Sequence, residues 1–235
     1  MNEIYTGLVQ AFELIIAFDA NLYEIIFLSL RVSLTAVAIG AFIGLPLGAA
    51  LAVGSFRGRT GVIVALNTLM GLPPVVVGLI VYLMLSRAGP FGVLGLLFTP
   101  KAMIIAQTIL ITPIIAAFSR QIIADLWVQY REQLLSFGAT PRQRTITLLW
   151  DGRLQLLTAV MAGFGRAIAE VGAVMIVGGN IEHVTRVLTT AIALETSKGD
   201  LAMALGLGLV LIFLSLSVTA VISIVSLSQE PANGR

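Results

Sequence analysis

Apolar residues in this chain fall into long runs rather than into alternation. Five stretches, 32–53, 61–86, 102–119, 154–181 and 201–229, are almost free of charge. As a helix the first would be ~33 Å long at ~1.5 Å per residue, about the thickness of a bilayer's hydrocarbon core. The third is at the short end of spanning length, and the fourth is interrupted only by Arg166 and Glu170. Lipid offers backbone groups no hydrogen-bond partner, so such runs predict transmembrane helices. Ahead of them, Ile4, Leu8, Phe12 and Ile15 recur at helical spacing, with Glu3, Gln10 and Glu13 elsewhere on the wheel. The stretch 3–18 is too short and too charged to span, and predicts an amphipathic helix at the membrane interface. The expected fold is all-α: a polytopic membrane helical bundle of about five transmembrane helices plus this N-terminal helix, in one domain over 1–235.

Composition agrees. The chain is 58% hydrophobic and 11% charged, against roughly 25% charged in a soluble domain. A net charge of +2 gives no reason to expect a nucleic-acid partner. The absence of cysteine excludes disulfides, iron–sulfur clusters and thiolate metal sites. The single histidine, His183, has no carboxylate cluster around it in sequence, so no metal site is expected. Residues before Asp19 include no Lys or Arg, so the basic start of a cleavable signal peptide is missing. Arg57, Arg59, Arg120, Arg131, Arg142, Arg144, Arg153 and Arg235 fall on one side of a five-helix layout. Arg31, Arg87, Lys101, Arg186 and Lys198 fall on the other. The richer side is expected in the cytoplasm, with the N-terminus outside and the C-terminus inside.

Proline and glycine punctuate the runs. Pro46 stands between Gly44 and Gly48, Pro73 and Pro74 between Gly71 and Gly78, and Pro113 in the third run. A proline releases a backbone carbonyl that lipid leaves unsatisfied, so these positions either line a pathway or shape helix packing. Gly40 with Gly44, and Gly206 with Gly208, are expected to permit close helix contact.

The segment 120–153 is polar and longer than a turn requires. Ile122, Ile123, Leu126, Tyr130, Leu134 and Leu135 recur at helical spacing up to Phe137. Gly138 suits a left-handed helix end and Pro141 a helix start, so the segment predicts helix, sharp break, helix. It resembles the coupling loop of bacterial ABC importer permeases, whose pattern is Glu-Ala-Ala, three residues, Gly, nine residues, Ile-x-Leu-Pro. Glu132 and Gly138 occupy the Glu and Gly positions, and Leu148 the Ile position. Gln133 and Leu134 replace the alanines, and Trp150 and Asp151 replace Leu and Pro. The resemblance implies that Glu132, Gln133, Leu134, Gly138, Ala139, Thr140 and Leu148 form the loop that docks on an ATPase.

The stretches VGAVMIVGGNI and TRVLTTAIALETSKGD, within 166–209, are similar to tungstate importer permeases, relatives of molybdate and sulfate permeases. That resemblance implies a homodimer in a bacterial inner membrane, two cytoplasmic ABC ATPase subunits, and an extracytoplasmic oxyanion-binding protein. It also implies tungstate import by alternating access, with molybdate and then sulfate as alternative cargoes.

This chain has no means of handling ATP itself. Its two lysines, Lys101 and Lys198, do not follow a glycine, so no phosphate-binding Gly-Lys-Ser/Thr loop exists. No catalytic residue and no bound cofactor are expected; ATP and magnesium belong to the partner. Arg166 and Glu170 share a helix face inside the fourth run. They form either a structural pair or, with Pro73 and Pro74, part of a pathway in which Arg166 attracts a passing anion. The polar loop 179–200 is expected to be a dock for a binding protein or a solvated loop. An ion-coupled secondary transporter or channel is the rival class. It would leave the long loop unexplained and lacks the expected repeat.

Overall fold

The computed structural model describes Val9 and residues 20–228. The predicted interfacial helix at 3–18 lies outside the described residues apart from Val9, as does the C-terminus with Arg235. The described residues form nine α-helices and no strand. These are α1 (Ala20–Val53), α2 (Arg59–Leu69), α3 (Pro74–Leu85), α4 (Pro100–Ser136), α5 (Pro141–Asp151), α6 (Arg153–Ile168), α7 (Gly172–Gly178), α8 (Leu188–Lys198) and α9 (Leu201–Ser228). Helices α1, α4 and α9 are each long and apolar enough to cross a membrane. The pairs α2–α3 and α6–α7 pass the same test together but bend by 97° and 58° at their breaks. Counting each pair as one span gives five.

Three boundaries differ from the hydropathy reading. The first helix begins by Ala20, so Arg31 lies within a helix rather than in a loop. The third does not stop at Ser119 but runs unbroken to Ser136, so the first part of the long loop extends a spanning helix. The predicted loop 179–200 contains α8, whose Leu188, Thr189 and Thr190 are buried. Pro46 and Pro113 sit within α1 and α4 without ending them.

The chain divides into two compact units. One takes in residues up to Ala36, Pro73–Gln107 and Arg166–Val218. Leu22, Leu188, Ala191, Leu207 and Val210 form a buried cluster there, joined by Ile25, Ile26 and Ile192. Ser29 Oγ ties α1 to α8 by accepting the Leu188 N–H at 2.9 Å while donating to the Ile25 carbonyl. The other unit comprises Val37–Leu72, Thr108–Gly165 and residues from Thr219. Its core holds Ala49, Ala52, Ile123, Leu126, Leu148 and Leu156.

Small residues set helix spacing in this second unit. Gly40, Gly44 and Gly48 follow one another at i, i+4 and i+8 and face α4. A Cβ at Gly44 would come within 3.0 Å of the Thr112 carbonyl, and one at Gly48 would strike the Ala116 carbonyl. Backbone contact this close is what glycine permits between membrane helices. Ser119 Oγ adds a hydrogen bond across the same contact to the Leu45 carbonyl, 2.8 Å away. The expectation of close packing fails at Gly208, where an added Cβ would meet nothing within 4 Å.

Candidate functional site

The break in the fourth run centres on Glu170, in a segment with no proline to announce it. Its carboxylate is buried, with 4% of the side chain exposed. Oε1 accepts the Ala173 N–H at 3.0 Å, capping the first turn of α7. Oε2 lies 3.3 Å from Arg166 Nη2, and the Arg166 side chain is 38% exposed. The Glu170 carbonyl accepts Thr189 Oγ1 from α8 at 2.9 Å. At the end of α6 the Ala167 carbonyl accepts Gln107 Nε2 from α4 at 3.0 Å. Side chains distant in sequence therefore meet polar groups that a continuous helix would pair within itself. Gln107 and Thr189 had no place in the sequence-based site. The available signal was an amide inside an otherwise apolar run.

The second broken span turns at Pro73–Pro74. Pro73 is extended (ψ 121°) and Pro74 opens α3 at its first position, where a missing N–H costs nothing. Helices α3 and α7, the second members of the two broken pairs, pack directly on each other. A Cβ on Gly78 would come within 2.7 Å of Ala173 Cα, and one on Gly172 within 2.8 Å of Val75 Cγ2. Pro73–Pro74 and Arg166–Glu170 thus mark the breaks of two spans whose second halves touch. Arg166 has no further hydrogen bond or ion pair among the described residues.

The polar loop holds the remaining predicted residues. Helix α4 ends in a two-bond cap: Ala139 N–H to the Leu134 carbonyl at 3.1 Å, and Gly138 N–H to the Leu135 carbonyl at 3.0 Å. This geometry needs a left-handed residue, and Gly138 supplies it at φ +66°. Thr140 then caps α5 reciprocally: its N–H donates to Gln143 Oε1 at 2.8 Å, and Gln143 N–H donates to Thr140 Oγ1 at 3.4 Å. Glu132, Gln133, Gly138 and Thr140 are exposed, Leu134 and Ala139 are half-buried, and Leu148 is buried in the unit's core. Leu148 therefore anchors the loop instead of presenting a surface. Val128, Leu135, Phe137, Ile146 and Trp150 are the large apolar side chains that the segment 120–153 exposes.

In the segment before α8, His183 Nδ1 lies 2.8 Å from Glu24 Oε2, and Arg186 pairs with Glu182 at 3.0 Å. The carboxylate of Glu24 holds the His183 pKa above its usual 6.5 by hydrogen bond and charge, with Glu182 adding to the effect and Arg186 opposing it. Among the described residues no group of three or more His, Asp or Glu is placed to hold a metal ion.

Over 230 residues, 98% of this chain and all of the relative, the sequence is 43% identical to the tungstate uptake system permease protein TupB of Peptoclostridium acidaminophilum. This chain belongs to the tungstate-type permeases of ABC transporters. The TupB protein of Campylobacter jejuni is 36% identical over 86% of the chain and 84% of its own length. A probable anion ABC transporter permease of Haloferax volcanii is 43% identical over 77% and 80%. At 28% identity the matches carry molybdenum and sulfate permease names. No protein-family model matches the chain. Set in this permease family, the apolar helices belong to a multi-pass membrane protein, the membrane subunit of an ABC uptake system.

Proposed function

We propose that this chain forms the membrane pathway for tungstate in an ATP-driven importer. The observation that carries the reading is near-full-length similarity to permeases named for tungstate uptake. The geometry supports it at two places. Helices α3 and α7 meet at the ends of two broken spans, the kind of irregular backbone that membranes tolerate only against protein or a water-lined cavity. The capped α4–α5 turn presents Glu132, Gly138 and exposed Phe137 on a short, stiff element suited to docking. On this reading two copies of the chain assemble with two ABC ATPases on the cytoplasmic side, and a binding protein delivers the oxyanion on the other. The N-terminus lies outside and the C-terminus inside the inner membrane. ATP and magnesium act on the ATPase, and this chain supplies no catalytic residue. Arg166 and Glu170, with Pro73 and Pro74, border the pathway. A divalent anion is attracted by Arg166, and Glu170 weakens that attraction so that the ion moves on.

The test is uptake into proteoliposomes holding the permease, its ATPase and its binding protein. Tungstate entering only with ATP supports the proposal. ATP-independent flux that follows an ion gradient would return the chain to the secondary transporters.

A further inference from the structure

A second anion-binding chemistry is built into the unit that carries the loop. A cavity of about 360 Å³ is bordered by Gly54, Ser55, Arg59, Trp127, Arg131 and Arg144, and no carboxylate lines it. Two of its guanidinium groups are fixed before any ligand arrives. Arg59 donates from Nε to the Leu51 carbonyl at 2.7 Å and from Nη2 to the Ala52 carbonyl at 3.3 Å, at the end of α1. Arg144 donates from Nε to the Ala139 carbonyl at 2.7 Å and lies 5.7 Å above the Trp127 ring. Arg131 is exposed and has no hydrogen bond or ion pair among the described residues. The four ion pairs of the described residues all involve other cations, so among those residues the three arginines that border this space have no ion-pair partner. Carbonyl bonds to Nε leave the terminal N–H groups of Arg144, and Nη1 of Arg59, for another acceptor. Planar guanidinium forks suit the oxygens of a tetrahedral oxyanion, and a pre-fixed fork loses little freedom on binding one.

We propose that this cavity binds a tetrahedral oxyanion, either the phosphate of an anionic lipid headgroup or a free oxyanion. The inference is independent of which ion the importer carries. Its position beside the α4–α5 turn gives the occupant a direct hold on that turn through Arg144 and the Ala139 carbonyl.

The test uses the purified full chain. Native mass spectrometry compares retention of phosphatidylglycerol and phosphatidylcholine, and tryptophan fluorescence follows titration with sodium phosphate and sodium tungstate. R131Q/R144Q is set against R57Q/R142Q, which removes two exposed arginines outside the cavity. R131Q alone serves if the double variant does not fold. Retention of phosphatidylglycerol over phosphatidylcholine, falling about fivefold per cavity arginine removed and unchanged in R57Q/R142Q, assigns a lipid phosphate. Saturable binding of phosphate or tungstate with the same pattern assigns a free oxyanion. Equal losses in both variants, or no anion bound by the wild type, would overturn the site. So would anion binding that R131Q/R144Q leaves unchanged.

Discussion

Glu170 places a carboxylate where burial is costly, and its surroundings account for its survival there. One oxygen caps α7 and the other meets Arg166. Replacing it with alanine leaves the buried Ala173 N–H without an acceptor, at a cost of about 1–3 kcal/mol. Glu170→Gln keeps an acceptor oxygen and should lose less. Thermal unfolding of the purified variants should therefore rank wild type, then Gln, then Ala; equal midpoints would remove the capping role. His183 gives the residue scale its pH dependence. It lies outside the membrane spans and is exposed, and its pKa is raised above 6.5 by Glu24. A raised value means that the contact is fully present below the unfolded-state pKa and is lost as pH climbs through the folded value. An NMR titration should place the midpoint above 6.5 and return it toward 6.5 in Glu24→Gln. A midpoint unchanged by that substitution would show that the contact is not what holds the proton.

Among the elements, the α4–α5 turn carries the sharpest expectation. Gly138→Pro excludes φ +66° and removes the N–H that bonds Leu135. Glu132→Lys reverses an exposed charge on the last turns of α4. Both variants should insert and dimerise yet release the ATPase on purification, or turn over ATP without transport. Wild-type transport in both would refute the docking role. This turn was legible in sequence because its determinants are local: Gly138, Pro141 and the Thr140–Gln143 pair act within a few residues. The spans were legible because hydropathy is a property of a run. The break at Glu170 was not, since it is held by Gln107 from α4 and Thr189 from α8, and no window over 154–181 contains either. Helix α8 was missed for the opposite reason. Its threonines look solvated by composition, but Thr189 and Thr190 are buried with their hydroxyls bonded to the Glu170 and Val187 carbonyls. Of the apolar positions whose spacing predicts a helix in the segment 120–153, Ile123 and Leu126 are buried and Leu135 is exposed.

At the scale of the whole molecule, three unbroken helices and two bent pairs give the permease its spans. Nothing in that frame separates tungstate from molybdate, which carries the same charge and nearly the same size; the similarity to tungstate uptake permeases carries the assignment. The most direct measurement is elemental mass spectrometry of cells grown at low external oxyanion, with and without this gene. The account predicts that tungsten content falls without the gene while molybdenum and sulfur hold steady. Unchanged tungsten in the absence of a compensating importer, or loss of molybdenum or sulfur in its place, would contradict it.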